Sequence, residues 1–411
     1  MAASITGTAY VELTADNTKV PANMPDSGAG YMAVLVIDQT NSINYEGGAE
    51  ALIDALQVDL SDLRVSKADD SATYPWGLMQ FSQTGGSRKL IIGFRVPSGD
   101  PLLAASDSVY RVWYGGTGGT SQDKAATAAT GDGVQVYWPM HEGGGTVADW
   151  TTNGVDGTVS GATSSAARVG NGQLFDNTDE VIAAAVQTLN DATFTLWVYP
   201  TSTTGLRTIY RSSVTGSFRA IYINGGNLEL YTGAGFSTAV AIPTNEWSLI
   251  ALRLDDAGDL LTLSVQNVSA GYLSNTLAWG SAATFLVTVG DSIYASQEYV
   301  GLMDELVLLT YAASDNEIKT RYNMEIDNGA FWTVGALTAA ALDASSTLIL
   351  GGSVAAAAQM GSDGALVLGS SLVSALDSSS PLILGSALYR LPDPTQSTSL
   401  WNFVRAKEEQ R

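Results

Sequence analysis

The chain of 411 residues has no cysteine and a single histidine. Without cysteine there can be no disulfide framework, zinc ribbon or thiol catalysis. The one histidine, His141, rules out a metal site built from several histidines. It follows a predicted strand and stands beside a glycine-rich turn, a position that favours a solvated loop residue over a catalytic one.

Positive charge is also scarce. Lysine and arginine number 19 against 41 aspartates and glutamates, which gives a formal net charge of -22. A protein that binds nucleic acid needs a concentrated basic face to neutralise phosphates, and these few cations are spread along the chain. We therefore expect no nucleic-acid partner.

Long hydrophobic runs are missing as well. No stretch of about 18 consecutive apolar residues is present, so we expect no transmembrane helix and no membrane partner. The first eight residues lack the basic and then apolar pattern of a secretory signal, and we expect synthesis without one. These features favour a location on a virion, with an extracellular location as the alternative.

Glycine and apolar residues are plentiful. The chain has 43 glycines, 45% hydrophobic residues and only 15% charged residues. Few charges and many glycines are typical of short strands joined by tight turns. The length predicts two or three domains with sizeable cores.

Strand patterns are clearest between residues 133 and 324. Val134, Val136 and Trp138 alternate with polar positions, as in a half-buried strand. The segment 193–200 also alternates, and it ends at Pro200, because proline cannot continue a central ladder. Residues 220–231 predict two strands around an Asn-Gly-Gly turn, since these residues tolerate the positive φ of tight hairpins.

The motifs of this region occur in a familiar order. Tyr137-Trp138-Pro139-Met140-His141-Glu142 precedes a glycine triplet, Asp149 and the segment 153–159 follow, and Gly301-Leu302-Met303-Asp304-Glu305-Leu306 closes the series. In this order they resemble a LamG-like, concanavalin A-type jelly roll. The resemblance implies a two-sheet antiparallel sandwich over residues 133–324, a fold that mostly binds sugars or other surfaces.

Residues 1–120 predict a separate N-terminal β domain. Strand-like runs such as 31–38 and 90–97 are bounded by Gly, Pro, Asp or Ser, and only Ala49 to Asp59 has a helical pattern. Asp62-Leu63-Arg64-Val65 and Trp113-Tyr114-Gly115-Gly116 are similar to motifs of an uncharacterised domain that often precedes LamG-like domains. A linker rich in Gly, Ser, Thr and Ala follows at 121–132.

Residues 325–411 predict a C-terminal repeat region. Three copies of a small-residue turn and an apolar strand occur, with strands at 348–350, 366–368 and 382–384. These apolar strands need a partner surface, either one another or symmetry mates. We therefore predict assembly into a homotrimer or anchoring to a larger particle. Ser397 to Arg411 predicts a short amphipathic helix. The overall fold class is multidomain all-β.

Catalytic motifs are not evident. Laminarinase-type enzymes on this jelly roll use a Glu-x-Asp-x-x-Glu run, and the nearest match, Glu325-Ile326-Asp327, lacks the final carboxylate. Adjacent strand residues point to opposite faces, so Asp304 and Glu305 are not expected to flank one glycosidic bond. We predict that the protein is not an enzyme.

A calcium ion is the cofactor that the resemblance implies. Similar domains often hold calcium near aspartates that correspond to Asp149 and Asp304, with Asp156 a weaker candidate, and oxygen ligands suit this ion. The alternative is that Asp149 and Asp156 bond their own turns and that Asp304 is structural. Aromatic side chains able to stack on sugars, most of which are expected in the core, are Tyr231, Phe236, Tyr272, Trp279, Tyr294 and Tyr299.

Three functions compete at this stage. The first is a virion surface protein, in a head or tail fibre or as decoration, that binds host glycans and other virion proteins. The second is a secreted bacterial carbohydrate-binding or adhesion protein. The third, a glycoside hydrolase, is disfavoured by the missing carboxylates.

Overall fold

The computed structural model forms two compact units. It describes residues 9–25, 30–69, 72–97, 99–115, 133–176, 178–189, 191–212, 219–231, 235–255, 257–278, 283–290 and 297–339, and four short strands between 348 and 390. One unit extends to Leu337, and the second takes Thr338 onwards together with Thr8–Tyr10. The predicted linker at 121–132 and terminal helix at 397–411 lie outside the described residues.

Residues 9–114, which from Val11 onwards share one compact unit with the sandwich, form a β region that we call the N-terminal domain. Its strands are β1 (Ala9–Ala15), β2 (Tyr31–Asp38), β3 (Arg64–Lys67), β4 (Thr73–Tyr74), β5 (Trp76–Ser82), β6 (Lys89–Val96) and β7 (Ser108–Tyr114). Strands β2, β6 and β5 form one sheet, and β1, β7, β3 and β4 belong to another. The predicted helix is α1 (Ala49–Ala55), which ends where Leu56 becomes extended.

Residues 134–309 form an antiparallel sandwich of two sheets, so the predicted all-β class is confirmed. Its strands are β8 (Val134–Trp138), β9 (Thr146–Val147), β10 (Gly157–Ser160), β11 (Thr163–Ala166), β12 (Asn171–Asp176), β13 (Glu180–Leu189), β14 (Ala192–Pro200), β15 (Leu206–Ser212), β16 (Arg219–Asn224), β17 (Asn227–Tyr231), β18 (Phe236–Ala241), β19 (Ser248–Asp255), β20 (Leu260–Asn267), β21 (Gly271–Ala278), β22 (Ala283–Val289) and β23 (Val300–Leu309). The front sheet has the order β18-β17-β16-β15-β22-β13-β10-β9, and the back sheet the order β11-β12-β23-β14-β19-β20-β21, with β8 also paired to β23.

Alternation along the strands builds the sandwich core. In β14, Phe194, Leu196 and Val198 point between the sheets, while Trp197 points to the outer face of the back sheet. The predicted hairpin joins β16 to β17. Gly225 and Gly226 hold φ values of 57° and 86° in its turn, which explains why glycine occupies both positions.

The chain returns to the N-terminal domain after the sandwich. Helix α2 (Asp315–Ile326) packs Ile318 and Tyr322 on the outer face of the back sheet, α3 (Asn328–Phe331) follows, and β24 (Trp332–Ala339) lies beside β1.

Because of this return, the C-terminal repeat region begins later in the chain than the sequence predicts. The repeat region was predicted to start at residue 325, yet residues up to Leu337 belong to the first unit. The physical reason is that Phe331, Trp332 and Val334 are buried in the core of the N-terminal domain, where their apolar surface is removed from water.

A third apolar cluster joins the N-terminal domain to the sandwich. Met32, Val34 and Ile91 of the N-terminal domain pack with Trp150 and Val307 of the sandwich. The indole of Trp150 lies so close to the sheet that a Cβ atom added at Gly77 would stand 2.4 Å from the ring. Close packing of the two domains therefore depends on the absence of a side chain at Gly77.

The strands of the second unit pair copy against copy. They are β25 (Leu348–Leu350), β26 (Leu366–Leu368), β27 (Pro381–Leu384) and β28 (Ala387–Arg390). Leu348 stands beside Leu366, and Leu366 beside Leu382, in parallel register. Equivalent positions of the three repeats are thus neighbours, so that the repeats stack on one another within a chain. Among the described residues, no helix has the length and apolarity needed to cross a bilayer.

Candidate functional site

Two rows of side chains cross the outer face of the front sheet. The strand register lines up the first row as Glu298, Thr208, Tyr222 and Glu229. The second row contains Thr288, Arg211, Ala220 and Tyr231. We call these eight positions the two-row face.

The outward direction of these side chains follows from the core residues beside them. Ile221 and Ile223 point into the sandwich, so Tyr222 between them points out. Thr208 is the cross-strand partner of Tyr222, and a β-bulge at Ile209 restores the inward direction for Tyr210. Bulges of this kind re-aim side chains within a strand.

A second backbone feature brings Glu298 to the face. Strand β22 ends before Gly290, whose φ is 85°, and the chain returns beside β15 at 297–299. There the amide of Thr208 donates to the carbonyl of Gln297 at 2.6 Å, and the amide of Tyr299 donates to the carbonyl of Gly290 at 2.9 Å. Glu298 therefore stands next to Thr208.

Polar atoms without hydrogen-bond partners mark this face. Thr208 and Thr288 are 0% and 1% exposed, and within the described part of the chain neither Oγ1 has a partner. The same is true of the buried Oε2 of Glu298. Each unsatisfied buried group costs about 1–3 kcal/mol, so three of them on one face call for an explanation.

Tyrosines and partly exposed charges complete the surface. Tyr222 is buried, and its ring meets that of Tyr231 edge to face at 6.4 Å. Tyr231, Arg211 and Glu229 are partly exposed. The face thus combines a partly exposed aromatic ring and partly exposed charged groups with buried hydroxyl groups and a buried carboxylate oxygen.

Sequence reasoning found only part of this face. Tyr231 is on it, but Tyr299 lies in the sandwich core and Tyr272 is on the back sheet, where its hydroxyl donates to Asp315. The side chains of Phe236, Trp279 and Tyr294 lie outside the described residues. Thr208, Thr288 and Glu298 were missed because only strand register and a bulge bring them together.

Asp149, predicted to bind calcium, already has several hydrogen-bond donors. Its carboxylate accepts from the amides of Tyr137, Thr151 and Val155 at 2.9–3.0 Å and from the Thr151 hydroxyl at 2.7 Å. The amide of Asp149 in turn donates to Asp156 at 2.8 Å. These are the side-chain to backbone hydrogen bonds that define an Asx-type turn, and they leave little room for a cation.

The third predicted ligand, Asp304, is fully buried, and its Oδ2 accepts from the amide of Val169 at 2.7 Å. Within the described ranges, no three His, Asp or Glu side chains gather in a way that could hold a metal ion. The hydrogen bonding supports structural roles for the three aspartates, and calcium binding stays a prediction.

The structure corrects the expected directions of Asp304 and Glu305. In the pairing of β14 with β23, Thr195 stands opposite Val307 and Trp197 opposite Asp304, so one extra residue is accommodated in β23. Glu305 takes a φ of 52° there. This bulge turns both carboxylates to the outer face of the back sheet, under α2.

Asp304 and Glu305 lie in a buried ionic cluster with Glu325, Arg168 and Arg321. Arg321 bonds the Glu325 carboxylate at 2.9 Å and the Glu305 carbonyl at 2.9 Å, and Arg168 donates to the Glu325 carbonyl at 3.0 Å. The Glu325 carboxylate also accepts from the Trp197 indole, and that of Glu305 from the Tyr137 hydroxyl at 2.6 Å.

Burial raises the pKa of all three carboxyl groups in this cluster, and repulsion from neighbouring carboxylates raises the pKa of Asp304 and of Glu305 further. Three acids face two arginines, so retention of one proton makes the cluster neutral. Since Asp304, Glu305 and Glu325 are at most 3% exposed, the cluster fastens α2 to the back sheet and is shielded from a substrate in solvent.

These raised pKa values predict a pH dependence. The folded state keeps protons that the unfolded chain releases near the ordinary carboxyl pKa of about 4. The corresponding stability is fully present below that pH and is lost as pH rises through the raised values. We expect Glu305→Gln, which mimics the protonated acid, to raise stability relative to the wild type at pH 8 but not at pH 4.

Urea unfolding of both proteins at the two pH values measures this effect. Glu50→Gln is the control because the Glu50 side chain is 58% exposed. An equal difference between Glu305→Gln and the wild type at both pH values would contradict the proton assignment.

Comparison with known proteins agrees with the sandwich. Residues 175–319 match the family model Laminin_G_3, described as the concanavalin A-like lectin/glucanases superfamily. The predicted resemblance is thus confirmed for this span. A search of curated protein sequences gave no match.

Several solved structures are similar to the chain. Domain 4 of AbnA, a GH43 extracellular arabinanase from Geobacillus stearothermophilus, solved with arabinotriose, is 18% identical with a TM-score of 0.37, covering 46% of this chain and 97% of that one. The Ruminococcus gnavus IT-sialidase CBM40 bound to α2,3-sialyllactose is 13% identical with a TM-score of 0.27, covering 32% and 82%. The botulinum neurotoxin serotype D binding domain is 13% identical with a TM-score of 0.35, covering 46% and 51%. Similarity this low says nothing about what this chain binds.

Proposed function

We propose that this protein is a non-enzymatic carbohydrate-binding protein that holds glycans on the two-row face. The observation that carries the proposal is that three buried polar atoms, on Thr208, Thr288 and Glu298, have no hydrogen-bond partner among the residues that the structure describes. They are grouped on one sheet face beside the partly exposed ring of Tyr231.

Sugars match this chemistry. Each hydroxyl of a sugar ring can donate and accept a hydrogen bond, which satisfies both threonine hydroxyls and the glutamate oxygen. The apolar face of the ring can pack on a tyrosine. A few placed polar groups around an apolar surface are typical of small-molecule sites.

Substitution of the two threonines tests the proposal. Thr208→Val and Thr288→Val keep the β-branched shape but remove the hydroxyl. We expect each to weaken binding about tenfold, the equivalent of one hydrogen bond of about 1.4 kcal/mol. Titration calorimetry with dextran, mannan, galactan, dextran sulfate and polygalacturonate measures this.

The matched control is Thr158→Val. Thr158 is exposed in the same sheet, and its register partner Ile182 is in turn the partner of Thr288, so it lies on the same face near its edge. It should bind normally. If Thr208→Val and Thr288→Val both left the affinity unchanged for every polysaccharide that binds, the binding site would lie elsewhere.

We further propose that the protein acts on the surface of a virion, as part of a head or tail fibre or as decoration, with other virion proteins as partners. The acidic, cysteine-free chain and its low-charge repeats suit a symmetric particle. A secreted bacterial adhesin is the alternative, and a gene placed among capsid and tail genes separates the two. Release of reducing sugar from the same polysaccharides would indicate a glycoside hydrolase instead.

Assembly through the C-terminal repeats is part of this proposal. Stacking of the Leu-rich strands of three chains would remove their apolar side chains from water. Deletion of residues 340–411, which leaves β24 whole, is expected to convert a homotrimer into a folded monomer. Light scattering gives the mass, and circular dichroism checks the fold. A full-length monomer would contradict the assembly.

A further inference from the structure

Resting on the proposed function, we propose that the two-row face selects uncharged glycans and grips them by two adjacent ring hydroxyls. The argument starts from the charge of the face. Among its described side chains, Glu298 and Glu229 are acidic and Arg211 is the single cation. The whole chain carries a net charge of -22.

Charge disfavours an anionic sugar on this surface. A sulfate or carboxylate would approach two glutamates in a strongly negative protein, and like charges repel over several ångströms when partly shielded from water. The polar atoms that a ligand would have to satisfy, two threonine hydroxyls and a carboxylate oxygen of Glu298, carry no positive charge, and Arg211 is the one cation among the described side chains of the face. A neutral hydroxyl group satisfies all three of them.

The strand register sets the distance between the side chains that would bind the two hydroxyls. Glu298 and Thr208 are paired across neighbouring strands, which places their side chains about 5 Å apart. Two neighbouring hydroxyls of one sugar ring can engage both groups at once. One hydroxyl donates to the Glu298 carboxylate, and the next exchanges a hydrogen bond with the Thr208 hydroxyl.

Side chains of the second row can reach the opposite side of the sugar ring. Adjacent rows on one sheet face are about 7 Å apart along the strands, close to the width of a single sugar ring. Thr288 can therefore contact a hydroxyl across the ring, beside its register partner Arg211. Because the three polar atoms are buried, the side chains above them have to move before a ligand can reach them.

Matched polysaccharides test the selectivity on the full-length protein. We expect dextran or galactan to bind, and the charged counterparts, dextran sulfate and polygalacturonate, to bind at least about tenfold more weakly, a difference of about 1.4 kcal/mol. Periodate oxidation, which cleaves vicinal diols, should abolish binding of the neutral polymer. Glu298→Gln should lower the affinity for the neutral polysaccharide and reduce the ratio of its affinity to that of the charged polysaccharide. Glu50→Gln should change neither the affinity nor the ratio.

The outcomes separate this inference from the function on which it rests. Binding that is confined to dextran sulfate or polygalacturonate and sensitive to Thr208→Val keeps the proposed site and overturns the selectivity. If the neutral polysaccharide still binds after periodate oxidation, recognition through two adjacent ring hydroxyls is overturned. If no polysaccharide binds, the carbohydrate function fails and this inference fails with it.

Discussion

Replacing Arg321 with methionine is expected to destabilise the protein by about 3–5 kcal/mol, the usual cost of removing one partner from a buried ion pair. The guanidinium contacts the Glu325 carboxylate, the Glu305 carbonyl and the Thr195 hydroxyl, and only 8% of the residue is exposed. Without it, three buried carboxyl groups would face Arg168 alone. Urea unfolding monitored by tryptophan fluorescence measures the change.

Arg253→Met is the matched control. Arg253 bonds Asp315 at 2.9 Å, but the two side chains are 21% and 42% exposed, and such pairs contribute about 0–1 kcal/mol. The double variant Arg321→Met, Glu325→Met should recover part of the lost stability because one of the stranded acids is gone. Equal effects of Arg321→Met and Arg253→Met would refute the role of the cluster.

Replacing Trp150 with alanine is expected to cost about 3–5 kcal/mol, as for other fully buried aromatic side chains. The indole fills the contact between the N-terminal domain and the sandwich and is 0% exposed. Gly77→Ala should also destabilise the protein, by about 1–3 kcal/mol, since its new Cβ would stand 2.4 Å from a ring carbon of Trp150.

The double variant gives the sharper test. In the Trp150→Ala background the clash no longer exists, so Gly77→Ala should have little further effect and the two changes should be strongly non-additive. Thermal unfolding of all four proteins measures the coupling. Gly143→Ala is the control because a Cβ there meets nothing within 4 Å. Simple additivity would mean that Gly77 and Trp150 do not meet as described.

The sequence by itself determined the local elements of this protein. The alternation around Trp197 and the proline at 200 predicted β14, and Asn224 with two glycines predicted the hairpin between β16 and β17. It also indicated the family of the sandwich. These features depend on neighbouring residues, because a period of two and a tight turn are properties of a short segment.

Tertiary structure alone decided where distant segments meet. Thr208, Thr288 and Glu298 share a face only because of a bulge at Ile209 and the return of the chain at 297–299. Asp304 and Glu305 share a side because of a second bulge, and Trp332 joins the core of a domain that began some 300 residues earlier in the chain. A bulge changes side-chain direction without a distinctive local pattern. Long-range pairing depends on the packing energy of the whole sheet, which no single segment contains.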